Sequence, residues 1–208
     1  MLVFTTSIQN TSLLYNWASE QLLETGDLYN GERLAKNRMI EMYHGHIDEH
    51  SDKRILTEFA SKSSNIRVLF STIKLGMGID IRDIDMVILF GVPKDSIVHL
   101  WQQVGRCARD GRQGVAYIYA TGISLKGCED KHLNYLCSKE SVDVCTRVKI
   151  LQAFCLKEND LTQPKHMLCD SKCDLACMCS ACRCCSVCKE KCKCPGKVTD
   201  ISELIYNQ

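Results

Sequence analysis

Residues 86–111 read MVILFGVPKDSIVHLWQQVGRCARDG, and the order of features in that stretch decides the fold. Met86–Phe90 is a short apolar run of strand length, Pro93 marks a turn, and Ser96–Arg109 reads as a helix capped near Asp95 or Ser96. At its end Arg106 and Arg109 stand three residues apart in a Gly-flanked turn, so both guanidinium groups can point the same way. Arginine is the side chain suited to two-pronged contact with phosphate, although two arginines at a helix end also simply complement its dipole.

Outward from this unit the same alternation recurs. Short apolar runs at Leu2–Thr5, Arg38–Tyr43, Arg67–Ser71 and Val115–Tyr119 predict further strands, with amphipathic helices over Thr11–Glu24 and Asp48–Lys62. Residues 1–122 therefore predict an α/β domain with a largely parallel sheet flanked by helices. Ligands of such sheets bind beyond the carboxyl ends of the strands. Residues 123–178 change to helical spacing and predict a small second unit, followed by a Cys-rich tail at 179–208, where a short helix around Ile201–Tyr206 is weakly indicated.

Lys and Arg total 26 against 25 Asp and Glu, so a net charge of +1 gives no global attraction to polyanions, and any such contact needs local patches. No window approaches ~18 uninterrupted apolar residues and the start lacks a basic n-region, so neither a membrane span nor export is expected. Cysteine is the outlier. Ten of the 15 fall between Cys169 and Cys194. A secreted disulfide knot and thiolate metal binding both explain such a cluster, and the missing export signal favours metal.

The letters around the arginines carry a resemblance. QQVGRCARDGR at 102–112 is similar to motif VI of superfamily 2 helicases, and specifically of the RecQ family. STIKLGMGIDI at 71–81 resembles motif V of that family, LVFTTSIQNT its motif IV, and MYHGHI a further upstream segment, all in the expected order. The resemblance implies the second RecA-like lobe of an ATP-dependent 3′-to-5′ DNA helicase of repair and recombination, located in the nucleus. It implies Arg109 as the arginine finger on the γ-phosphate, Arg106 as its neighbour, and Gln102, Asp80 and Gly78 on the nucleotide side, with Gly76 and Gly78 permitting a tight loop. Thr5, Ser7, His44 and Thr72 would meet DNA, as single strand and duplex junction. Ser7 and Thr72 also suit helix caps, His44 a turn, and Asp80 an N-cap. Two departures stand out: Ile81 replaces a common Lys, and Cys107-Ala108 replaces Ala-Gly, which requires a negative φ at Ala108.

A nucleotide motor also needs a phosphate-cradling G-x-x-x-x-G-K-[ST] loop and an acidic metal-binding motif, and no run here supplies either. ATP with Mg²⁺ is then expected to be held mainly by an N-terminal RecA-like lobe acting in cis or trans, and the chain alone is expected not to turn over ATP. CTRVKILQAF from Cys145 is similar to the helix that opens the RecQ zinc subdomain, Thr146 replacing an Arg. The resemblance implies Zn²⁺ on Cys145, Cys169, Cys173 and Cys177, with His166 and Cys179 as substitutes. The run CSACRCCSVCKEKCKC at 179–194 suggests one or two further zinc ions or an unstructured thiol-rich tail. The alternative to a motor is a non-catalytic, zinc-stapled module that binds nucleic acid or protein. An RNA-helicase reading is weakened by GMGID and the zinc segment.

Overall fold

A computed structural model describes residues 1–72, 75, 84–109, 113–154, 184–192 and 194. Five strands, β1 (Leu2–Thr5), β2 (Ile40–Tyr43), β3 (Val68–Ser71), β4 (Met86–Phe90) and β5 (Val115–Tyr119), form one sheet in the order β2-β3-β1-β4-β5. Every pairing is parallel, with Leu2 opposite both Leu69 and Val87. β1 lies at the centre and all four of its residues are buried, the reason its sequence is apolar without alternation. The predicted sheet is therefore present, with β2 and β3 starting two and one residues later than the apolar pattern suggests.

Helix α1 (Ile8–Thr25) packs on β1, β2 and β3, and Val3, Leu28, Ile40 and Phe70 form the core beneath it. Ser7 caps its start by accepting from the Asn10 N–H at 3.1 Å, and Gly26 at φ 85° ends it. Helix α2 (Glu49–Ala60) is capped by Asp48 and buries Ile55 and Phe59. It also brings Arg54 over β2, where the Glu41 carboxylate, 4% exposed, accepts from Arg54 Nη2 at 2.7 Å. Arg54 reaches Glu58 at 3.1 Å as well, and Arg38 lies 4.0 Å from Glu41.

Helix α3 (Ile97–Val104) is five residues shorter than Ser96–Arg109 predicts at its C-terminal end. The Gly105 N–H still reaches Trp101 O at 2.8 Å, but Arg106 and Cys107 fall back to three-residue bonds on Gln103 and Val104. Ala108 then leaves the helix entirely and donates to Ile84 O at 2.8 Å. Short helices follow: α4 (Gly122–Leu125), α5 (Lys131–Leu136), α6 (Thr146–Leu151) and α7 (Ser186–Lys191). By compactness Met1–Pro93 and Val98–Leu125 form one unit, while Lys94–Ile97 and the residues from Lys126 onward form another. Among the described residues no helix is long and apolar enough to cross a membrane. The suggested helix at Ile201–Tyr206 lies outside the described residues.

In the second unit Asp130 organises two helix starts. Its carboxylate accepts from Ile97 N at 2.9 Å, His132 N at 2.7 Å and Leu133 N at 3.1 Å. Lys149 on α6, 5% exposed, donates to Leu136 O, Ser141 O and Ser141 Oγ at 3.0–3.2 Å and so ties α6 to the turn after α5.

Both Glu41 and Asp130 are open to direct test. Arg54→Met leaves Glu41 buried without its strongest partner, and chemical denaturation should show a loss of about 2 kcal/mol, below the full ~3–5 kcal/mol of a wholly buried pair because Arg54 keeps contact with water. Partial burial alone would raise the Asp130 pKa, yet three backbone N–H donors and His132 hold it below its ordinary value. Its stabilising effect is therefore complete above the unfolded value of about 3.9 and lost as pH falls through the lower folded value. Asp130→Ala should cost about 1 kcal/mol at pH 7, and the gap from the parent should close as the pH drops below that window.

Candidate functional site

The two groups of predicted residues sit at opposite edges of the sheet. β1, β2 and β3 are neighbours, so the residues just past their carboxyl ends, Ser7, His44 and Thr72, fall along one edge. Thr72 N donates to Tyr43 O at 3.2 Å, holding the exit of β3 beside that of β2. His44 is half-buried and its Nδ1 accepts from His46 N at 3.2 Å, while Ser7 serves as the α1 cap. Thr5 differs from the other three because it is buried, its hydroxyl donating to Ser7 O at 3.1 Å and sharing a hydrogen bond with Thr11 Oγ1. Thr6, one residue later, is exposed, and Gly91 after β4 comes so close to it that a Cβ there would lie 2.9 Å from Thr6 Cγ2. Thr6 lies one residue beyond the buried strand, a position that the sequence reading of this segment does not single out.

The arginine turn lies at the other edge. α3 leaves the carboxyl end of β4, runs back along the sheet, and delivers residues 105–109 to the amino ends of β4 and β5. Cys107 Sγ contacts Asp85 O at 3.3 Å and Val115 O at 3.4 Å, and burial pushes its thiol pKa up. A Cβ on Gly114 would stand 2.5 Å from that sulfur, so only glycine lets the entry to β5 pass the turn. The expectation that chemistry lies beyond the carboxyl ends thus covers one group of residues and not the arginines.

Arg106 is buried at 9% exposure, while Arg109 is exposed, its Nε donating to Gly105 O at 2.9 Å. Gln102 is exposed on the last turn of α3 and Gln103 beside it is buried. Ala108 between the arginines has φ 51°, the sole positive φ at a non-glycine among the described residues. The negative φ that its replacement of glycine requires is therefore absent, because the Ala108 N–H must turn toward Ile84 O. Gly76, Gly78, Asp80 and Ile81 lie outside the described residues, as do Cys169, Cys173, Cys177, Cys179 and His166. Cys145 is described: it is 1% exposed at the start of α6 and packs against Cys184, Cys185 and Cys188, with all four sulfurs within 4.8 Å of one another. These three belong to the run 179–194 that suggests further zinc ions, and not to the set that the resemblance implies with Cys145.

Residues 1–111, more than half of the chain, match the family described as helicase conserved C-terminal domain. The chain belongs to that family. It is 30% identical over 119 residues to the ATP-dependent RNA helicase eIF4A of Coccidioides immitis (strain RS), covering 56% of this chain and 26% of that protein. Over 87 residues it is 36% identical to Eukaryotic initiation factor 4A-1 of Arabidopsis thaliana, covering 42% and 20%. The chain thus spans only 20% to 26% of these relatives. The solved structure of Mycobacterium smegmatis helicase Lhr bound to ssDNA and AMP-PNP aligns with TM-score 0.50 at 19% identity, over 73% of this chain and 20% of that one, a likeness of fold. Membership is established for the superfamily 2 helicase C-terminal domain; the named sequence relatives are RNA helicases, and the RecQ subfamily is not among them.

The strained turn yields a direct test. Ala108→Gly removes the Cβ that disfavours a left-handed conformation and should raise stability by about 1 kcal/mol, read as a higher denaturation midpoint at unchanged slope. An unchanged or lower midpoint would contradict a strained Ala108.

Proposed function

We propose that this chain is the second motor lobe of an ATP-dependent DNA helicase of RecQ type, coupling nucleotide turnover to 3′-to-5′ strand separation in nuclear repair or recombination. The observation that carries the coupling role is the sheet itself. Candidate nucleic-acid contacts lie at its carboxyl edge, where Thr72 N donates to Tyr43 O, the arginine pair lies at its amino edge, where Ala108 N donates to Ile84 O, and the hydrogen-bonded strands join the two.

In this reading Arg109, exposed and oriented by Gly105, reaches the γ-phosphate of ATP held with Mg²⁺ mainly by a first RecA-like lobe supplied in cis or trans. Such an arginine neutralises charge that develops as the phosphoryl group departs. Buried Arg106 would present a second positive charge, and Gln102, exposed on the last turn of α3, would join the nucleotide contacts. Asp80 and Gly78 would complete the nucleotide contacts, and Thr72, His44, Ser7 and Thr5 the DNA contacts, Thr5 through its backbone because its hydroxyl is engaged. The DNA assignment is supported by GMGID with QxxGRxxRDG and by the cysteine helix CTRVKILQAF. Zinc, bound through that cysteine region, is part of the same reading. RNA as the substrate is the second reading, favoured by the names of the sequence relatives.

The test is nucleic-acid-stimulated ATPase of the chain combined with a RecQ-type first lobe, assayed with single-stranded DNA and RNA of matched sequence. DNA-stimulated turnover is expected, falling by about 10³-fold or more in Arg109→Ala while DNA binding is unchanged. Stimulation by RNA alone would transfer the substrate to the second reading. Absent turnover with DNA binding retained would leave a non-catalytic, zinc-stapled binding module.

A further inference from the structure

Four thiols meet where two short helices begin. Cys145 precedes α6 and is 1% exposed, and Cys185 precedes α7, its sulfur accepting from Cys188 N at 3.5 Å. That cap places Cys185 and Cys188 on one side of the first turn, and Cys184 joins them from the preceding position. Cys145 Sγ lies 3.5 Å from Cys184 Sγ and 3.9 Å from Cys185 Sγ, and all four sulfurs fall within 4.8 Å of one another. All four are free cysteines. A disulfide would need about 2.05 Å. Four sulfurs about 2.3 Å from a tetrahedral zinc instead stand about 3.8 Å apart, close to the 3.5 and 3.9 Å of Cys145 to Cys184 and Cys185.

We propose that Cys145, Cys184, Cys185 and Cys188 together hold one zinc ion and that this ion fastens α7 to α6. The assignment rests on the zinc reading above and changes its ligands, since only Cys145 is shared with the set that Cys169, Cys173 and Cys177 would complete. Three neighbouring features fit a tetrathiolate centre. The Cys188 N–H donates to Cys185 Sγ, a hydrogen bond that would offset the charge of a thiolate ligand. The buried ammonium of Lys149, one turn beyond Cys145 on α6, offers positive charge beside a centre whose net charge is negative. Away from the thiols, Lys191 at the end of α7 donates to Asp143 O at 2.8 Å and holds the helix against the residues leading into Cys145.

The experiment uses the whole 208-residue chain, expressed with zinc and analysed for metal per chain, then loaded with Co²⁺ for absorption spectroscopy. Cys184→Ser and Cys188→Ser should each lose one equivalent of zinc relative to the parent, while Cys173→Ser and Cys177→Ser keep that equivalent. Cys188→His, which keeps a zinc-competent donor, should retain the metal and shift the cobalt bands from an S₄ to an S₃N pattern, a change that a merely structural cysteine would not produce. Full zinc content in Cys188→Ser, or unshifted cobalt bands in Cys188→His, overturns the ligand assignment while the zinc reading survives. A parent chain without zinc overturns both.

Discussion

Parallel pairing of β1 with β3 on one side and β4 on the other is the constraint from which the rest of the first unit follows. A strand with two parallel neighbours leaves no edge open, and parallel pairing makes the chain return along the faces of the sheet to start each new strand, so Leu2, Val3, Phe4 and Thr5 are all buried. This return traffic separates the two groups of candidate residues. Strand exits collect Ser7, His44 and Thr72; helix ends collect the arginines. One layer of hydrogen-bonded strands holds the two groups apart and joins them mechanically.

The arginine turn shows how much local order is given up for that placement. Continuing α3 by five residues would satisfy more backbone bonds within the helix, yet Ala108 adopts φ 51° and bonds to Ile84 O instead. The gain is contact with the sheet: Cys107 rests on the carbonyls of Asp85 and Val115, and Gly114 clears the path. Strain held by surrounding contacts is common where side chains must meet a ligand in a fixed orientation. Here the arginine that remains exposed is the one immediately after the strained residue.

The strands were readable because short apolar runs between turn signals have few other folds available, and Ser7 and Asp48 were readable as polar residues placed ahead of amphipathic helices. The end of α3 was not, since Val104 to Arg109 is compatible with a helix until the carbonyl of Ile84, distant in sequence, competes for the Ala108 N–H. Glu41 was invisible for a related reason: a carboxylate inside a strand looks like a solvent-facing position until α2 places Arg54 over it. In the site, the arginines and the strand-exit residues could be named from motif letters, but their division between two edges depends on the path of α3. Thr5 was named without the inward turn that its place in β1 imposes.

Cysteine spacing presented the hardest case. The RecQ resemblance implies Cys169, Cys173 and Cys177 as partners of Cys145, and their shorter loop also costs less entropy to close, but that cost rises only with the logarithm of length. Extending the loop from 24 to 39 residues therefore adds only a few tenths of a kcal/mol. The geometry at the first turn of α7, where a cap and the C-x-x-C spacing converge two sulfurs and an adjacent cysteine adds a third, outweighs so small a difference. Small helical units with few buried side chains gain most from such a clasp, since a metal–thiolate centre can supply cohesion that helices of six residues cannot obtain from packing alone.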